Sequence, residues 1–446
     1  MSRAEPVSDP VSIHELDRLS IAGRLERVRE RTLSLVAGLD WQVLRTQHIP
    51  ILSPMVWDLG HIANFEELWL CQAVADLEPL EAEFGAMFDA VLNPRPTRED
   101  LPLPVARVLW DYLSRVRTRA LGVLEGVSRA EAGLRIVERG FVYEMVAEHE
   151  EQHQETLLQL LQVLQSPTYL PAQRRRLPAG RELPDSLVLI PAGPFRMGSQ
   201  GAVFAYDNEL AAHELTLPSY RIGRAPVSCG QFLGFIEDGG YERQDLWSAS
   251  GWDWRCEAEV TAPGNWTRQD DSWWIRHMDR AEPLQGDLPV IHVSFHEAEA
   301  YARWAGKRLP TEAEWEKAAL WDPAAGRARL YPWGDDPPDP SRANVDQLAF
   351  QPAPIGAFPR GASAWGVEHL IGDVWEWTSS DFLPYPDFAA FPYEEYSKIF
   401  FGCEYKVLRG GSWATRPAVA RGTIRNWDYP IRRQIFAGFR CAQDAG

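Results

Sequence analysis

Three histidines carry the strongest chemical signal in the sequence. The segment HEEQHQE puts His149 and His153 four residues apart. On a helix, both imidazoles would lie on one face about one turn apart. Apolar residues on that face, among them Met145 and Leu157, indicate that both rings point into a protein core. Burying two imidazoles is unfavourable unless their lone pairs are used, and a metal ion uses them.

His61 is the third candidate ligand. It lies in MVWDLGHIANFEELW, where helical spacing puts Trp57, Phe65 and Leu68 on its face and so predicts an inward-pointing ring. Taken alone, it is equally consistent with a core histidine that binds nothing. Three imidazoles without a carboxylate or thiolate would leave coordination positions open for a substrate and for oxygen.

The same segment matches the H-E-x-x-H pattern of zinc peptidases, in which the glutamate is the general base. We expect Glu150 to lie at the edge of the apolar stripe, away from the core. The following residues, HQETLLQLL, lack the glycine and third histidine of the metzincin pattern. The sequence therefore favours an open metal centre, and the peptidase interpretation stays as an alternative.

Two regions of different composition must position these residues. Residues 1–167 have apolar residues recurring every three or four positions, which predicts a bundle of about four helices. One helix is predicted to begin with Ser53 as its cap and Pro54 as its first residue, and another to run from about 140 to 165. Residues 168–185 combine prolines with a basic cluster, which predicts a linker.

Residues 186–446 alternate short β-like runs with glycine, proline and aromatic turns, which predicts an α+β domain with long loops. The runs predicted as strands are LVLIPAGPFRMGS, LTLPSYRIG, PVIHVS and YKVLRGGSW. A single helix is predicted from about 295 to 320. Loops on such a scaffold are where binding residues usually lie.

Composition limits the partners. With 63 acidic against 45 basic residues and a net charge of −18, the chain should be repelled by nucleic-acid phosphates. Its apolar runs are shorter than the roughly 20 residues of a membrane helix. Its first residues lack an apolar signal core, so we expect a cytoplasmic protein. We expect small-molecule partners rather than nucleic acid or membrane, and the oligomeric state is left open.

The motifs WDLGHIANFEELW, HEEQHQET, RLPTEAEWEKAA, YPWGD, GDVWEWTSS and VLRGGSW occur in this order. Together, over residues from about 21 to 442, they resemble the ergothioneine-biosynthesis sulfoxide synthases, or hercynine oxygenases, and their selenoneine synthase relatives. The resemblance implies a multidomain α and α+β fold. A DinB-like four-helix bundle would be followed by a domain with the formylglycine-generating-enzyme fold, which is related to C-type lectins.

The resemblance also implies a cofactor and a reaction. Iron(II), held by His61, His149 and His153, would react with O2 while a sulfur donor is joined to C2 of the hercynine imidazole, giving a sulfoxide. In the actinobacterial type the donor is γ-glutamylcysteine. The family's donor arginines match Arg95 and Arg98 in NPRPTREDLPL, and guanidinium groups suit a donor with extra carboxylates.

Other donors stay open. The segment FFGCEYKVL is shorter than the loop expected for the actinobacterial type, and a changed loop is consistent with a changed donor. A selenosugar, giving selenoneine, is the main alternative. Free cysteine, and the histidine and cysteine pair of ovothiol biosynthesis, are the others.

Two further motifs match the family's substrate pocket. Tyr393 in PYEEYS matches a tyrosine that donates a proton or hydrogen atom, and Tyr396 with Gln152 resembles the pair that holds the substrate imidazole. The motif NWDYPIRRQIF supplies the rest. By resemblance, Asn426 and Trp427 would face the trimethylammonium group. Asp428 and Arg432 would bind the sulfur donor. The site would then lie between the two domains.

A rival class is a non-catalytic module, in which a lectin-like domain recognises a ligand and the bundle holds a structural metal. Structural zinc sites are closed and usually rich in cysteine, whereas three histidines predict an open site. Formylglycine-generating enzymes need a cysteine pair for copper. Here the C-terminal cysteines, Cys403 and Cys441, lie far apart in the sequence, so we do not expect that chemistry.

Overall fold

The computed structural model describes the following residues: 15–126, 136–164, 174–184, 187–201 and 204–446. The chain divides into two compact units, Met1–Leu160 and Leu161–Gly446. Both ends of the predicted linker lie outside the described residues, and residues 174–184 have no regular secondary structure. None of the described helices is both long and apolar enough to cross a lipid bilayer.

The first unit is helical, as predicted. Its long helices are α1 (Glu15–Val36), α3 (Met55–Glu66), α5 (Ala106–Gly126) and α6 (Phe141–Leu164), the last of which ends just past the unit boundary. Its short helices are α2 (Trp41–Arg45) and α4 (Ala82–Met87). A π-helical turn, Glu67–Ala73, continues α3. The prediction of a four-helix bundle is confirmed.

The start of α3 differs by one residue from the prediction. Pro54 precedes the first helical residue, and its ψ of 139° is extended rather than helical. Ser53 therefore does not cap the helix. Its hydroxyl instead accepts a hydrogen bond of 2.5 Å from Nη1 of Arg98. A buried guanidinium needs acceptors, and this tertiary contact takes the oxygen that the local pattern assigns to a cap.

The predicted inward face of α3 also fails at its C-terminal end. Leu68 is 44% exposed, whereas Trp57 and Phe65 are buried as expected. The cause is the π-helical turn that begins at Glu67. A π turn adds a residue to each turn, so the side chains that follow it are rotated out of the α-helical register.

The second unit is α+β, which confirms the predicted class. Its helices are α7 (Cys229–Glu237), α8 (Ala249–Glu257), α9 (Phe295–Trp304) and α10 (Glu312–Leu320). Its first strands are β1 (Leu187–Ile190), β2 (Gly193–Met197), β3 (His213–Leu217), β4 (Tyr220–Gly223), β5 (Trp266–Gln269), β6 (Ser272–His277) and β7 (Arg280–Pro283). The later strands are β8 (Trp321–Asp322), β9 (Arg327–Ala328), β10 (Trp375–Phe382), β11 (Gly402–Arg409), β12 (Asn426–Asp428), β13 (Ala437–Gly438) and β14 (Ala442–Asp444).

A four-stranded sheet in the order β12-β11-β10-β13 carries three of the candidate site residues of this unit, Asn426, Trp427 and Asp428. Its pairs are antiparallel except for β10 and β13, which run parallel. Two three-stranded sheets, β1-β4-β14 and β5-β6-β7, and two hairpins complete the unit. Long loops join these short strands, as the glycine and proline content predicts.

The single helix predicted from 295 to 320 is wrong, because two helices occupy this region. Gly306 follows α9 with a φ of +65°, a conformation that glycine adopts without strain and that ends helices. Thr311 then starts α10 through a capping box with Glu314. The break comes from these local stop and start signals, which the continuous apolar pattern hides.

The strand predicted for PVIHVS is also wrong. Val290, Ile291 and Val293 are fully buried, but His292 has a φ of +62°, which is incompatible with a β ladder. Within the described chain, Pro289 makes only an isolated bridge to another segment. The run is apolar because it fills the core as an irregular segment.

Candidate metal centre and substrate-binding residues

Two helices of the first unit bring the three predicted ligands together. α3 carries His61, and α6 carries His149 and His153 one turn apart. One ligand atom from each histidine lies within 4.8 Å of the other two. The ring centroids form a nearly equilateral triangle with sides of 5.0, 4.9 and 4.7 Å. These residues therefore form a cluster that could hold a metal ion.

A backbone contact orients His61. Its Nδ1 lies 2.7 Å from the carbonyl oxygen of Phe88, so the proton on Nδ1 is donated there and Nε2 keeps its lone pair. Gly60 makes this approach possible, because a Cβ at that position would lie 2.2 Å from the ring of Phe88. Nε2 of His61 faces Nε2 of His149 at 3.2 Å. Two nitrogens that bind one ion at about 2.1 Å each have such a separation.

The two histidines of α6 are held by their surroundings in different ways. His149 stacks on Phe65 with a centroid distance of 3.8 Å, and its Nδ1 has no hydrogen-bond partner among the described residues. Nδ1 of His153 lies 3.3 Å from Oδ1 of Asp58, without hydrogen-bond geometry. A carboxylate beside the outer nitrogen of a metal-binding histidine orients the ring and raises its basicity.

Burial keeps His61 and His149 uncharged. Burial, followed by the nearby His153, lowers the pKa of His61 to about 3. The same two causes lower the pKa of His149 well below its ordinary value. Neutral imidazoles offer the lone pairs that metal binding requires. A cluster of three imidazoles, without a thiolate or carboxylate among them, fits a metal with open coordination positions.

Glu150 is not where the sequence analysis expected it. It is 1% exposed and accepts bonds from Arg29 Nε at 2.8 Å, Arg117 Nη2 at 3.2 Å and Thr32 Oγ1 at 2.7 Å. The prediction that it lies away from the core is therefore wrong. α6 is buried on more than its metal-binding face, and two cations neutralise this carboxylate. A glutamate held in this way is unsuited to act as the general base of a peptidase.

The cations that hold Glu150 also bind Glu66, so that each long helix contributes one charge to a buried network. Arg29 of α1 lies 2.8 Å from Glu66 of α3, and Arg117 of α5 lies 2.5 Å from it. Burial by itself would raise the pKa of Glu150, but Arg29 and Arg117 lower it below its ordinary value. The network links α3 and α6, which carry the metal ligands.

We expect Glu150→Ala to destabilise the protein by about 3–5 kcal/mol, because it leaves two buried guanidinium groups with a single carboxylate, that of Glu66, between them. Glu144→Ala is the matched control on the same helix. Glu144 pairs with Arg24 but is 35% exposed, so its loss should change stability by less than about 1 kcal/mol. Urea unfolding followed by far-ultraviolet circular dichroism measures both, and equal effects would contradict the prediction.

Arg98 lies beside the metal centre without a carboxylate partner among the described residues. It is 5% exposed, and its guanidinium lies 3.4 Å above the ring of Trp57, which stacks on His61 at 4.8 Å. Burial lowers its pKa to about 10 against the opposing charge of Asp58, and Arg95 acts in the same direction as burial, so Arg98 stays charged at neutral pH. A buried cation of this kind attracts an anion from outside the chain.

Gln152 belongs to the same face of α6 as the metal ligands. It is half-buried and lies three residues after His149 and directly before His153. Residues three apart on a helix are neighbours on its surface. In the first unit, the structure thus brings Gln152 to the surface of α6 that carries the metal ligands.

In the second unit, the predicted aromatic residues form one cluster. Trp427 lies in β12, opposite Val407 of β11, and stacks on Phe382 with centroids 4.1 Å apart. Tyr396 meets Trp427 edge to face at 5.9 Å, and Tyr393 meets Tyr396 in the same way at 6.3 Å. Such a wall of aromatic faces is suited to a quaternary ammonium group.

The polar residues of NWDYPIRRQIF flank this cluster. Asp428 Oδ1 lies 3.2 Å from Nε of Arg432, and the guanidinium lies 5.7 Å from the centroid of Tyr429. Asn426 Oδ1 accepts a hydrogen bond of 2.9 Å from the backbone N–H of Trp427. The structure thus groups all the predicted residues of this unit along β12 and the loop that contains Tyr393.

The sequence analysis missed three residues that shape these two groups: Asp58, Tyr206 and Phe382. Asp58 precedes His61 by three residues in WDLGH, and this helical spacing was a usable signal. Tyr206 stacks on Tyr396 with centroids 4.1 Å apart, and no local pattern indicates that contact.

The comparisons with known proteins agree with this architecture. Residues 24–157 match the DinB superfamily, and residues 173–445 match the sulfatase-modifying factor enzyme 1-like domain. Hercynine oxygenase of Mycolicibacterium smegmatis is 45% identical over 436 residues, 96% of this chain and 99% of that protein. Hercynine oxygenase of Mycobacterium tuberculosis is 46% identical over 429 residues, 95% and 98% of the two chains. Formylglycine-generating enzyme of Streptomyces coelicolor is 33% identical over 304 residues, 62% and 92% of the two chains.

A helical bundle with a three-histidine centre, joined to a sulfatase-modifying-factor-like domain, defines a class of two-domain metalloenzymes. Within this class, the relatives whose sequence identity to this chain extends over both domains indicate the family. The chain belongs to the hercynine oxygenase family. The resemblance stated from the sequence motifs and the prediction of an enzyme are confirmed.

Proposed function

We propose that this protein joins a thiol donor to C2 of the imidazole of hercynine in an O2-dependent step of ergothioneine biosynthesis, giving a sulfoxide. The observation that carries the proposal is the cluster of three imidazoles in a chain 45% identical to a hercynine oxygenase over 96% of its length. The C2–H and S–H bonds break while C–S and S–O bonds form. One atom of O2 enters the sulfoxide and the other leaves as water, so the four electrons balance.

His61, His149 and His153 would hold iron(II), which supplies the electron-transfer chemistry between O2 and the two substrates. The chain's own contribution is to orient these rings. The carbonyl of Phe88 binds Nδ1 of His61, and Asp58 faces Nδ1 of His153. Because the cluster supplies three protein ligands, further coordination positions would be left for a thiolate and for O2.

Tyr393 is assigned as the proton donor. Burial raises the pKa of its phenol above the ordinary value, and the negative charges of Asp207 and Glu395 act in the same direction. The hydroxyl is therefore protonated at neutral pH and available for donation. This protonation state supports the role that the family resemblance implies for Tyr393.

Hercynine is assigned to the aromatic cluster. Its trimethylammonium group has no proton to donate, so it is held by cation–π attraction and burial, which Trp427 and the adjacent Asn426 would provide. The hydroxyl of Tyr396 and the amide of Gln152 are suited to hydrogen bonds with the imidazole. Their polar atoms would orient C2 for reaction.

The donor is proposed to be γ-glutamylcysteine, which carries two carboxylates and one ammonium group. Arg98, buried and without a carboxylate partner among the described residues, supports an anionic donor, and Arg95 adds a second cation. Asp428 and Arg432 offer one charge of each sign for an amino group and a carboxylate. A selenosugar lacks these carboxylates, so the arginines favour the thiol.

A competition assay tests donor and reaction together. We supply hercynine, iron(II) and O2 with γ-glutamylcysteine, cysteine and a selenosugar, and identify products by mass. We expect mainly the γ-glutamylcysteine sulfoxide. Since charge-assisted hydrogen bonds contribute about 1.5–3 kcal/mol, Arg98→Met should raise the KM for this donor about 10- to 100-fold with unchanged iron content. Arg107→Met, at an exposed arginine, is the control.

Each alternative outcome identifies a different function. A C–Se product would make the protein a selenoneine synthase, and a cysteine adduct would make it a cysteine-using relative. Stoichiometric zinc with no O2 consumption would overturn the oxygenase assignment altogether. An unchanged KM in Arg98→Met would remove Arg98 from donor binding.

A further inference from the structure

Residues 206–208 contact both ends of the tyrosine loop, which we define as residues 391–397. These three residues lie outside the motifs of the family resemblance. Asp207 is 3% exposed. Its Oδ1 accepts a short hydrogen bond from the hydroxyl of Ser397. Its Oδ2 accepts from the backbone N–H of Phe391 at 3.2 Å. One buried carboxylate thus ties the first and the last residue of the loop together.

The neighbours of Asp207 add two further contacts. Nδ2 of Asn208 donates to the hydroxyl oxygen of Ser397 at 3.0 Å, and Ser397 is fully buried. The ring of Tyr206 stacks on Tyr396 with an interplanar angle of 19°. Three consecutive residues therefore hold the loop through a carboxylate, an amide and an aromatic face.

Residues 206–208 are themselves held in place by buried neighbours. Glu209 accepts from the backbone N–H of Tyr206 at 3.0 Å and forms a buried ion pair with Arg421. The carbonyl oxygen of Asn208 accepts from Nη1 of Arg425 at 3.0 Å, and Arg425 is paired with Glu312 on α10. These buried contacts fix the backbone of the segment at Tyr206 and Asn208, so it can hold the loop in one position.

We propose that Asp207 is a positioning residue, which holds both ends of the tyrosine loop and so sets the position of Tyr393 and Tyr396. Turnover depends on this position because Tyr393 is the assigned proton donor and Tyr396 the assigned imidazole partner. The inference therefore rests on the proposed function. It adds a residue that touches neither substrate but determines where two substrate-facing side chains lie.

Amide hydrogen exchange tests whether Asp207 holds the tyrosine loop, independently of activity. Asp207→Asn replaces one acceptor oxygen by a donor, and Ser397→Ala removes the hydroxyl, so each variant breaks at least one bond to the loop. Loss of a hydrogen bond to a charged group should speed amide exchange in 391–397 of the full-length protein about tenfold or more. Asp322→Asn, which removes a carboxylate bonded to Arg329, is the matched control. Unchanged exchange in both loop variants overturns the proposal.

Kinetics then separates positioning from plain destabilisation. A variant that only lowers the folded fraction loses kcat and keeps its KM. A loosened loop also raises the KM for hercynine. We expect about a tenfold increase in KM in the two loop variants, which corresponds to the loss of one hydrogen bond to a charged group. The iron content should be unchanged, because the ligands lie on α3 and α6. Faster exchange with an unchanged kcat and KM would overturn the positioning role.

The two experiments also keep the proposals distinct. If the wild-type protein forms no product from hercynine and any donor, the proposed function fails, while the exchange rates still decide whether Asp207 holds the loop. If Asp207→Asn does not fold, Ser397→Ala preserves the carboxylate and provides both measurements.

Discussion

Replacing His149 with alanine is expected to abolish metal binding and turnover in one step. His149 faces His61 through Nε2 at 3.2 Å and shares the cluster with His153. With one imidazole removed, two ligands remain and bind a divalent metal weakly. Loss of a residue that only hydrogen-bonds to a metal ligand lowers metal affinity roughly 10- to 100-fold. Loss of the ligand itself should therefore lower metal affinity more than about 100-fold.

Anaerobic titration with iron(II), followed by elemental analysis after desalting, measures this effect. His48→Ala is the control in the same unit, because His48 is hydrogen-bonded to the carbonyl of Val43, is not part of the three-histidine cluster and should leave the iron content unchanged when replaced. Asp58→Asn gives an intermediate result, a loss of about 10- to 100-fold, since its carboxylate faces His153 without being a ligand. Stoichiometric iron in folded His149→Ala would remove His149 from the ligand set.

The second large effect is expected for Tyr393→Phe, which removes one oxygen atom and preserves the ring. The edge-to-face contact with Tyr396 at 6.3 Å does not depend on the hydroxyl, so both substrates should bind within about threefold of wild type. Sulfoxide formation should fall about 100-fold or more, because a positioned proton donor contributes this much. Single-turnover product analysis by mass, with binding measured separately, distinguishes the two effects.

Tyr405→Phe is the matched control for Tyr393→Phe. Tyr405 also has a half-buried ring, and its hydroxyl donates to the hydroxyl of Tyr429 at 2.8 Å. Loss of that bond should leave product yield unchanged. A full sulfoxide yield from Tyr393→Phe would remove the phenol from the chemistry and leave Tyr393 with a packing role.

The metal cluster was predictable from the sequence because its strongest feature is local. His149 and His153 share a face through the period of the helix alone, and the structure keeps that arrangement. His61 is far away in the chain, so its approach to the pair depends on the packing of α3 against α6. The spacing of His61 predicts an inward ring but no partner.

The errors in the prediction have the same origin. Glu150 has the pattern of an edge residue on α6, but it is buried because cations from α1 and α5 meet it there. Leu68 has helical spacing from His61, but a π-helical turn changes the register. For Glu150, the deciding contacts come from residues outside the window that the pattern covers. For Leu68, the helix changes type within the window, and the apolar spacing does not encode that change.

The sequence by itself determined the helical character of the first region, the mixed class of the second, the histidine pair and the family. All of these depend on periodicity or on short motifs, which act within a turn or a strand. The tertiary structure decided which charges meet. It pairs Glu150 with Arg29 and Arg117, leaves Arg98 without an ion pair among the described residues, and sets Asp207 against the tyrosine loop. Such contacts join residues distant in sequence, and their energy depends on burial, which only the packed chain defines.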